Sequence, residues 1–306
     1  IDIADIDGDG DLDIISSSEL DDTIAWYESD VASNNDTAIM AQVGDDYAST
    51  SGTLTFSAGE TSKTFNVIIS EDLIPENNET VQLTLSNPSN TTISDATGTV
   101  VITDDDGIKW DEYTLTTNAD GAYDVHVADM DSDGDMDIVA SSIHDDTIRW
   151  FENSGDINPT WTTATIATNA DSVREITVAD MDNDGDLDIL SASENDDTIA
   201  WYENDGAANP TFTKAVIATS ADNANDVQVA DLDGDGDLDI VSASSLDDTI
   251  AWYENDGAAN PTWAAADIAT TADGANSVFL IDLDKDGDID ILSVSYTHLT
   301  LPTRGL

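Results

Sequence analysis

An acidic pattern, D-x-D-x-D-G-D-x-D, occurs five times in this chain, beginning at Asp5, Asp129, Asp180, Asp231 and Asp282. The last four starts are 51 residues apart. A period near 50 residues restricts the fold to a repeat architecture, in which each unit buries its apolar faces only against its neighbours. Within residues 210–260 the repeat reads as four short strands: Phe212–Thr219, Val227–Ala230, Ile240–Ser244 and Thr249–Glu254. Their residues alternate or are enriched in β-branched and aromatic types. The turn-rich stretch Asn255–Pro261 (NDGAANP) closes the unit. The same order recurs at 159–209 and 108–158, and in shortened form at 261–295. No segment carries a sustained helical period. The expected class is all-β: β-propeller blades of four strands, plus a partial β-sandwich module.

The acidic loop follows the logic of calcium coordination. In the fourth copy Asp231, Asp233 and Asp235 offer oxygens at positions 1, 3 and 5, and Gly236 allows the sharp turn. Asp237 offers its backbone carbonyl at position 7, and Asp239 closes the cage at position 9. The corresponding residues are Asp5, Asp7, Asp9, Asp11 and Asp13 in the first copy, and Asp129, Asp131, Asp133, Asp135 and Asp137 in the second. The third copy has Asp180, Asp182, Asp184, Asp186 and Asp188, and the fifth has Asp282, Asp284, Asp286, Asp288 and Asp290. All-oxygen ligands in a flexible loop suit Ca²⁺, and soft metals lack Cys or paired His here. The loop is not an EF-hand, because position 12 is Ser16, Ala140, Ser191, Ser242 or Ser293 instead of a bidentate Glu. The competing reading is a metal-free Asp/Gly hairpin. Two carboxylates about 4 Å apart repel by roughly 4 kcal/mol at an effective dielectric of about 20, which argues for a neutralising cation.

Net charge is −59, with only seven Lys and Arg in 306 residues. Nothing is available to neutralise phosphates, so nucleic acid is excluded as a partner and direct insertion into an anionic membrane is not expected. Hydrophobic content of 40% is enough for a core. Cysteine is absent, so no disulfide holds the fold.

The strand–DxDxDGxxD–strand unit with its DDTIAWYEN-like tail resembles FG-GAP/VCBS-type repeats, the calcium-binding blades of integrin-like β-propellers. The resemblance covers 1–30, a partial blade, and 108–295, three blades and a partial fourth. It implies a secreted or surface-anchored adhesion or ligand-recognition protein, often bacterial, and no single activity. Asp5 and Asp129 stand 124 residues apart, 73 more than one period. The first copy is therefore either the end of a previous propeller or an interrupted blade. The intervening residues 31–107 contain Asp46–Tyr47, SGTLTF (Ser51–Phe56), AGET (Ala58–Thr61), FNVII (Phe65–Ile69), ETVQLTLSN (Glu79–Asn87) and VITDDD (Val100–Asp106). This resembles the later part of a Calx-β sandwich without its first strands. By that resemblance Asp46, Glu71, Asp72, Glu76, Asp104, Asp105 and Asp106 are candidate calcium ligands; plain solvated turns are the alternative.

At the far end, Val294–Thr303 (VSYTHLTLPT) resembles a translated adaptor from a sequencing library. Residues 296–306 are therefore set aside as a non-native tail. The chain is expected to be a fragment, since Ile1 falls inside a repeat.

Trp26, Trp150, Trp201 and Trp252 occupy one place in the repeat, either as core between blades or as a stacking platform for a ligand. The pairs Asp21–Asp22, Asp145–Asp146, Asp196–Asp197 and Asp247–Asp248 precede TIxW and read as turns, not catalytic dyads. His126 and His144 look isolated, so no catalytic triad is expected. The expected function is a calcium-stabilised, non-catalytic surface protein that binds a cell-surface protein or a glycan outside the cell. The rival readings are an accessory region of a secreted polysaccharide-degrading enzyme, and a structural spacer in a large surface protein.

Overall fold

The computed structural model describes residues 1–30, 41, 43, 46–70, 79–102, 109–156 and 158–295, and every regular element among them is a strand. The first three are β1 (Asp2–Ala4), β2 (Asp13–Ser18) and β3 (Thr23–Asp30). Four follow in the intervening segment: β4 (Tyr47–Ala48), β5 (Ile68–Ile69), β6 (Glu79–Thr84) and β7 (Thr97–Ile102). Next come β8 (Lys109–Thr116), β9 (Ala122–Ala128), β10 (Asp137–Ser142), β11 (Thr147–Asn153) and β12 (Trp161–Ala167). The following two repeats supply β13 (Val173–Ala179), β14 (Asp188–Ser193), β15 (Thr198–Asn204) and β16 (Phe212–Ala218), then β17 (Ala224–Ala230), β18 (Asp239–Ser244), β19 (Thr249–Asn255) and β20 (Trp263–Ala269). The last pair is β21 (Ser277–Ile281) and β22 (Asp290–Val294). The chain divides into two compact units, Ile1–Glu28 with Glu112–Leu306, and Ser29–Asp111.

In the larger unit four sheets of four strands form, ordered β1-β2-β3-β8, β9-β10-β11-β12, β13-β14-β15-β16 and β17-β18-β19-β20. A two-stranded sheet, β21-β22, follows. The described ladders within these sheets are antiparallel. The first sheet takes its fourth strand, β8, from beyond the intervening segment, so the first copy is an interrupted unit.

The sheet frame differs from the one read in sequence. Phe212–Ala218 does not open the unit that contains Asp231; it pairs with β15, with Asn204 opposite Phe212. The NDGAANP-type turn therefore joins the third and fourth strands of one sheet, and the crossing to the next sheet is the short link Thr219–Asn223. The reason is distance. The turn returns the chain directly onto the strand it has just left, where a ladder is available at once.

Successive sheets stack through their apolar faces. Ile6, Ile15, Ile24 and Trp26 of the first sheet pack with Val125, Ile138 and Phe151 of the second. Met130, Val139 and Trp150 meet Ile176, Ile189 and Tyr202, and Met181, Leu190 and Trp201 meet Val227, Ile240 and Tyr253. Each flanked sheet is covered on both faces, so its second strand (DIVASS, DILSAS or DIVSAS) is buried at all six positions. β2, in the first sheet, is buried only at Asp13 and Ile15. Trp26, Trp150 and Trp201 are 2–4% exposed and belong to these cores.

Two polar devices lock one sheet to the next. The second Asp of each DDT turn has a left-handed backbone (Asp22, Asp146, Asp197 and Asp248, φ 56–59°). Its Oδ1 accepts a backbone N–H from the following sheet: Gly121, Ser172, Asn223 and Gly274, at 2.9–3.0 Å. These pairs are turn formers, as their sequence position suggests. The second device is an asparagine at the end of the third strand. Asn153, Asn204 and Asn255 each donate Nδ2–H to a carbonyl in the preceding sheet's acidic loop, namely Ile6, Met130 and Met181, at 2.8–2.9 Å. The same amide also donates to Met136, Leu187 or Leu238 in its own loop.

The smaller unit is less regular. Its described ladders are β4-β5, where Tyr47 faces Ile69, and β6-β7, from Glu79 opposite Ile102 to Thr84 opposite Thr97. The alternation of TLTF within Ser51–Phe56 reads as a strand, yet none forms there, and of Phe65–Ile69 only Ile68–Ile69 is a strand. Leu54, Phe56 and Phe65 are exposed. Alternation makes a strand only where a partner edge offers a ladder, and none of the described strands pairs with 49–67.

Asn204→Ala would strip both amide bonds and orphan the Met130 and Leu187 carbonyls. A loss of about 2–4 kcal/mol is expected, read as a lowered denaturant midpoint in calcium-containing buffer. An unchanged midpoint would show that the clasp carries no stability.

Candidate metal centre

Each acidic loop leaves the first strand of its sheet, reverses and enters the second. The reversal needs two left-handed residues. Position 4 has φ of 59–77° whether it is Gly8, Ser132, Asn183, Gly234 or Lys285, and Gly10, Gly134, Gly185, Gly236 and Gly287 at position 6 have φ of 99–102°. The latter value is open essentially only to glycine, which explains why position 6 never varies here.

The carboxylates organise the loop through its own backbone. The position 6 N–H donates to Oδ2 of position 1 in all five copies (Asp5, Asp129, Asp180, Asp231 and Asp282), at 3.0–3.1 Å. The position 5 N–H donates to position 3 (Asp7, Asp131, Asp182, Asp233 and Asp284), at 3.2–3.3 Å. The position 7 N–H donates to position 5 (Asp9, Asp133, Asp184, Asp235 and Asp286), at 2.9–3.0 Å. The carboxylates also converge. One oxygen from each of Asp5, Asp7 and Asp9, and from each of Asp231, Asp233 and Asp235, lies within 4.8 Å of the others. In the second and third loops the converging set is positions 1, 3 and 9: Asp129, Asp131 and Asp137, and Asp180, Asp182 and Asp188.

Position 9 does more than close a cage. Asp13, Asp137, Asp188 and Asp239 are 1% exposed. Oδ2 accepts the position 2 N–H (Ile6, Met130, Met181, Leu232, and Leu283 onto Asp290), at 3.0–3.2 Å. Oδ1 of Asp137, Asp188 and Asp239 accepts the N–H of Asn153, Asn204 and Asn255 at 2.8 Å. At position 7, Asp135, Asp186 and Asp237 lay their carboxylates over Gly155, Gly206 and Gly257, where a Cβ would stand 1.9–2.1 Å from Oδ2. The seventh side chains therefore need the glycines of the NDG-type turn in the same sheet.

Burial dominates the electrostatics. It pushes Asp137 and Asp188 up to about 7 from the usual 3.8, although both accept backbone N–H bonds, and it raises Asp239 as well. At position 3 burial pushes Asp7 to about 6 and raises Asp131 and Asp182, with neighbouring Asp133 and Asp184 adding repulsion. In the first loop Asp5 Oδ1 and Asp7 Oδ2 are buried with no donor against them. Desolvated oxygens facing one another are what an all-oxygen divalent site requires, and a hard cation of the calcium class fits the donor set.

The smaller unit gives less. Asp46 is buried, and its carbonyl accepts Ser70 N–H at 2.9 Å. Glu71, Asp72, Glu76, Asp104, Asp105 and Asp106 lie outside the described residues.

One cluster is invisible in the sequence. His126 is not isolated: it faces Asp124 and Glu175, with ligand atoms within 4.8 Å, where the first strands β9 and β13 run side by side. Burial, then the carboxylates of Asp124 and Asp226, push Glu175 well up. Asp124 and Asp226 each accept an N–H of the next sheet, from Ile176 at 3.1 Å and Val278 at 2.7 Å. Through these bonds Asp124 and Asp226 brace one sheet against the next. Only the topology, which brings residues of neighbouring repeats together, could have revealed it.

A family model described as FG-GAP-like repeat matches residues 138–191, 180–242 and 231–293, and a Calx-beta domain model matches residues 28–106. The first repeat match runs from the second strand of one sheet into the second strand of the next; the other two begin at the acidic loops opened by Asp180 and Asp231 and reach the second strand of the following sheet. No curated protein matches the chain as a relative.

In the metal-free fold Asp137 and Asp188 keep their protons up to about pH 7, whereas the unfolded chain releases them near 3.8. The fold therefore binds the extra protons between those values, and its stability falls as pH rises through that window. Chelated protein is expected to melt higher at about pH 5 than at about pH 8, and calcium to raise the melting temperature more at the higher pH. Thermal melts followed by circular dichroism check both; a larger calcium increment in acid would refute the assignment.

Proposed function

The chain belongs to the family of FG-GAP-like repeat proteins and carries a Calx-beta domain, and from that premise we propose that it is a calcium-stabilised binding module working outside the cell or on its surface. Both kinds of domain are typical of extracellular or surface proteins of the adhesion type, and no helix among the described residues is long and apolar enough to cross a membrane. The stacked four-stranded sheets are, in this reading, blades of a β-propeller. Calcium fills the acidic loops: the carboxylates at positions 1 and 3, joined by position 5 or 9, hold the ion, and the position 7 carbonyl completes the set. When bound it supplies positive charge, not a reactive centre.

The observation that carries this reading is the convergence of carboxylate oxygens in the first four loops, partly or fully buried in the first three, with no ion pair to a Lys or Arg on those carboxylates among the described residues. The role is binding rather than catalysis. The buried position 9 carboxylates are committed to backbone donors, and seven Lys and Arg in the whole chain leave little to activate an acidic polysaccharide. The ligand is a cell-surface protein or a glycan.

Extracellular modules bind calcium with dissociation constants of about 10⁻⁴–10⁻³ M. At millimolar calcium and the tight end of that range, each filled site adds roughly 1.4 kcal/mol. Several sites then approach a typical total stability of about 5–15 kcal/mol. Calorimetric titration of stripped protein should show binding heat at more than one site per chain, and chelation should lower the melting temperature sharply. Absence of heat together with an unchanged melt would overturn the proposal.

A further inference from the structure

The repeat is broken at one surface position. The fourth strands carry Ala164, Ala215 and Ala266 opposite Trp150, Trp201 and Trp252. In the first sheet the corresponding residue of β8 is Tyr113. Its ring stacks on Trp26, with centroids 4.7 Å apart and planes at 25°, and Trp161 from the second sheet meets the same Trp26 edge-on at 6.4 Å. The Trp26–Trp161 contact is the general inter-sheet arrangement, repeated as Trp150–Phe212 and Trp201–Trp263. Tyr113 is the addition. It is 40% exposed, an aromatic ring where the other sheets have a methyl group.

Tyr113 and Trp161 wall a cleft of about 330 Å³ whose rim carries the Glu112 carboxylate and the Asn158 amide. That volume lies at the lower end of the roughly 300–1,000 Å³ usual for small-molecule sites. Flat aromatic walls with a few polar groups at the rim suit a ligand with apolar C–H faces and hydroxyls at its edge. The net charge of −59 repels anions, and Glu112 at the rim does so locally. We infer that this cleft is a binding site for a neutral pyranose sugar, whose C–H face lies on the Tyr113 and Trp161 rings while Glu112 and Asn158 hydrogen-bond its hydroxyls. The inference gives the ligand class and the place for the binding role proposed above, and it rests on that role. Uronates and sulfated sugars are excluded by charge.

The repeat itself supplies the control, because Tyr113→Ala installs the residue that the second, third and fourth sheets use at the same place. The full chain in millimolar calcium is titrated calorimetrically with cellotriose, chitotriose and mannotriose, and with a triuronate as the anionic probe. Saturable heat is expected with at least one neutral trimer, at a dissociation constant on the order of 10⁻³–10⁻⁴ M. Tyr113→Ala, with its calcium-dependent melt retained, is expected to weaken that binding about tenfold or more. Should that variant fail to fold, Glu112→Gln and Asn158→Ala at the exposed rim are expected to weaken it instead. Silence with all three neutral trimers, undiminished binding by Tyr113→Ala or by both rim variants, or equal binding of the triuronate would overturn the inference. Sugar silence beside an intact calcium-dependent melt would sink this site and leave the calcium-stabilised fold standing, whereas loss of the calcium response would strike the reading beneath it.

Discussion

The structure of the larger unit turns on one buried carboxylate in each four-stranded sheet, the aspartate at position 9. Its two oxygens accept the N–H at the start of the acidic loop and the N–H of the asparagine that ends the third strand. That asparagine is thereby aimed, and its amide reaches the loop of the preceding sheet. Loop, sheet and inter-sheet contact are thus one network. Removing an oxygen anywhere in it leaves a desolvated donor, which is costlier than the bond was worth.

The arrangement has an electrostatic consequence. Backbone dipoles lower the cost of the buried charge but do not cancel it: burial outweighs the N–H bonds at Asp137 and Asp188 and leaves both pushed up to about 7. With positions 1 and 3 turned toward the same space, the loop can relieve its excess charge by taking up protons or by binding a cation. A divalent cation bound there would compete with protons for the same oxygens and so couple the fold to both. The extreme overall charge adds to this, since seven Lys and Arg offer few internal counter-ions to 66 acidic residues.

Much of this is legible in the sequence because it is periodic. The five loops, their glycine and the strand on either side follow from spacing and residue type alone. The frame of the sheets does not. A periodic string can be cut anywhere and still yields four strands per period, and only the ladder of Asn204 with Phe212 shows where one sheet ends. The clasp is likewise hidden, because Asn204 and Met130 stand 74 residues apart and nothing in either residue type names the other. His126 looks isolated for the same reason: its partner Glu175 belongs to the next repeat. In the smaller unit the alternation of TVQLTL does mark a strand, whereas that of TLTF overstates one, since alternation records which face is apolar and not whether an edge is available to pair with.

The last described sheet shows what inter-sheet packing contributes. Leu292 occupies the place of Val139, Leu190 and Val241, each 0% exposed, yet it is 40% exposed itself. Leu283 occupies the place of Ile6, Met130 and Met181, which are 0–2% exposed, and stands 63% exposed. The residue types and local loop geometry are the same in these copies, including the bond from Leu283 N–H to Asp290. What differs is the absence, among the described residues, of strands covering β21 and β22 on that side. Local hydrogen bonding thus suffices to shape the acidic turn, while burial of its apolar neighbours comes only from the adjoining strands and sheet. The stability of each repeat is therefore a shared property of nearest neighbours. A cation that tightens one loop acts on two sheets at once, because the position 2 residue beside that loop's carboxylates is also the carbonyl that the next sheet's asparagine holds.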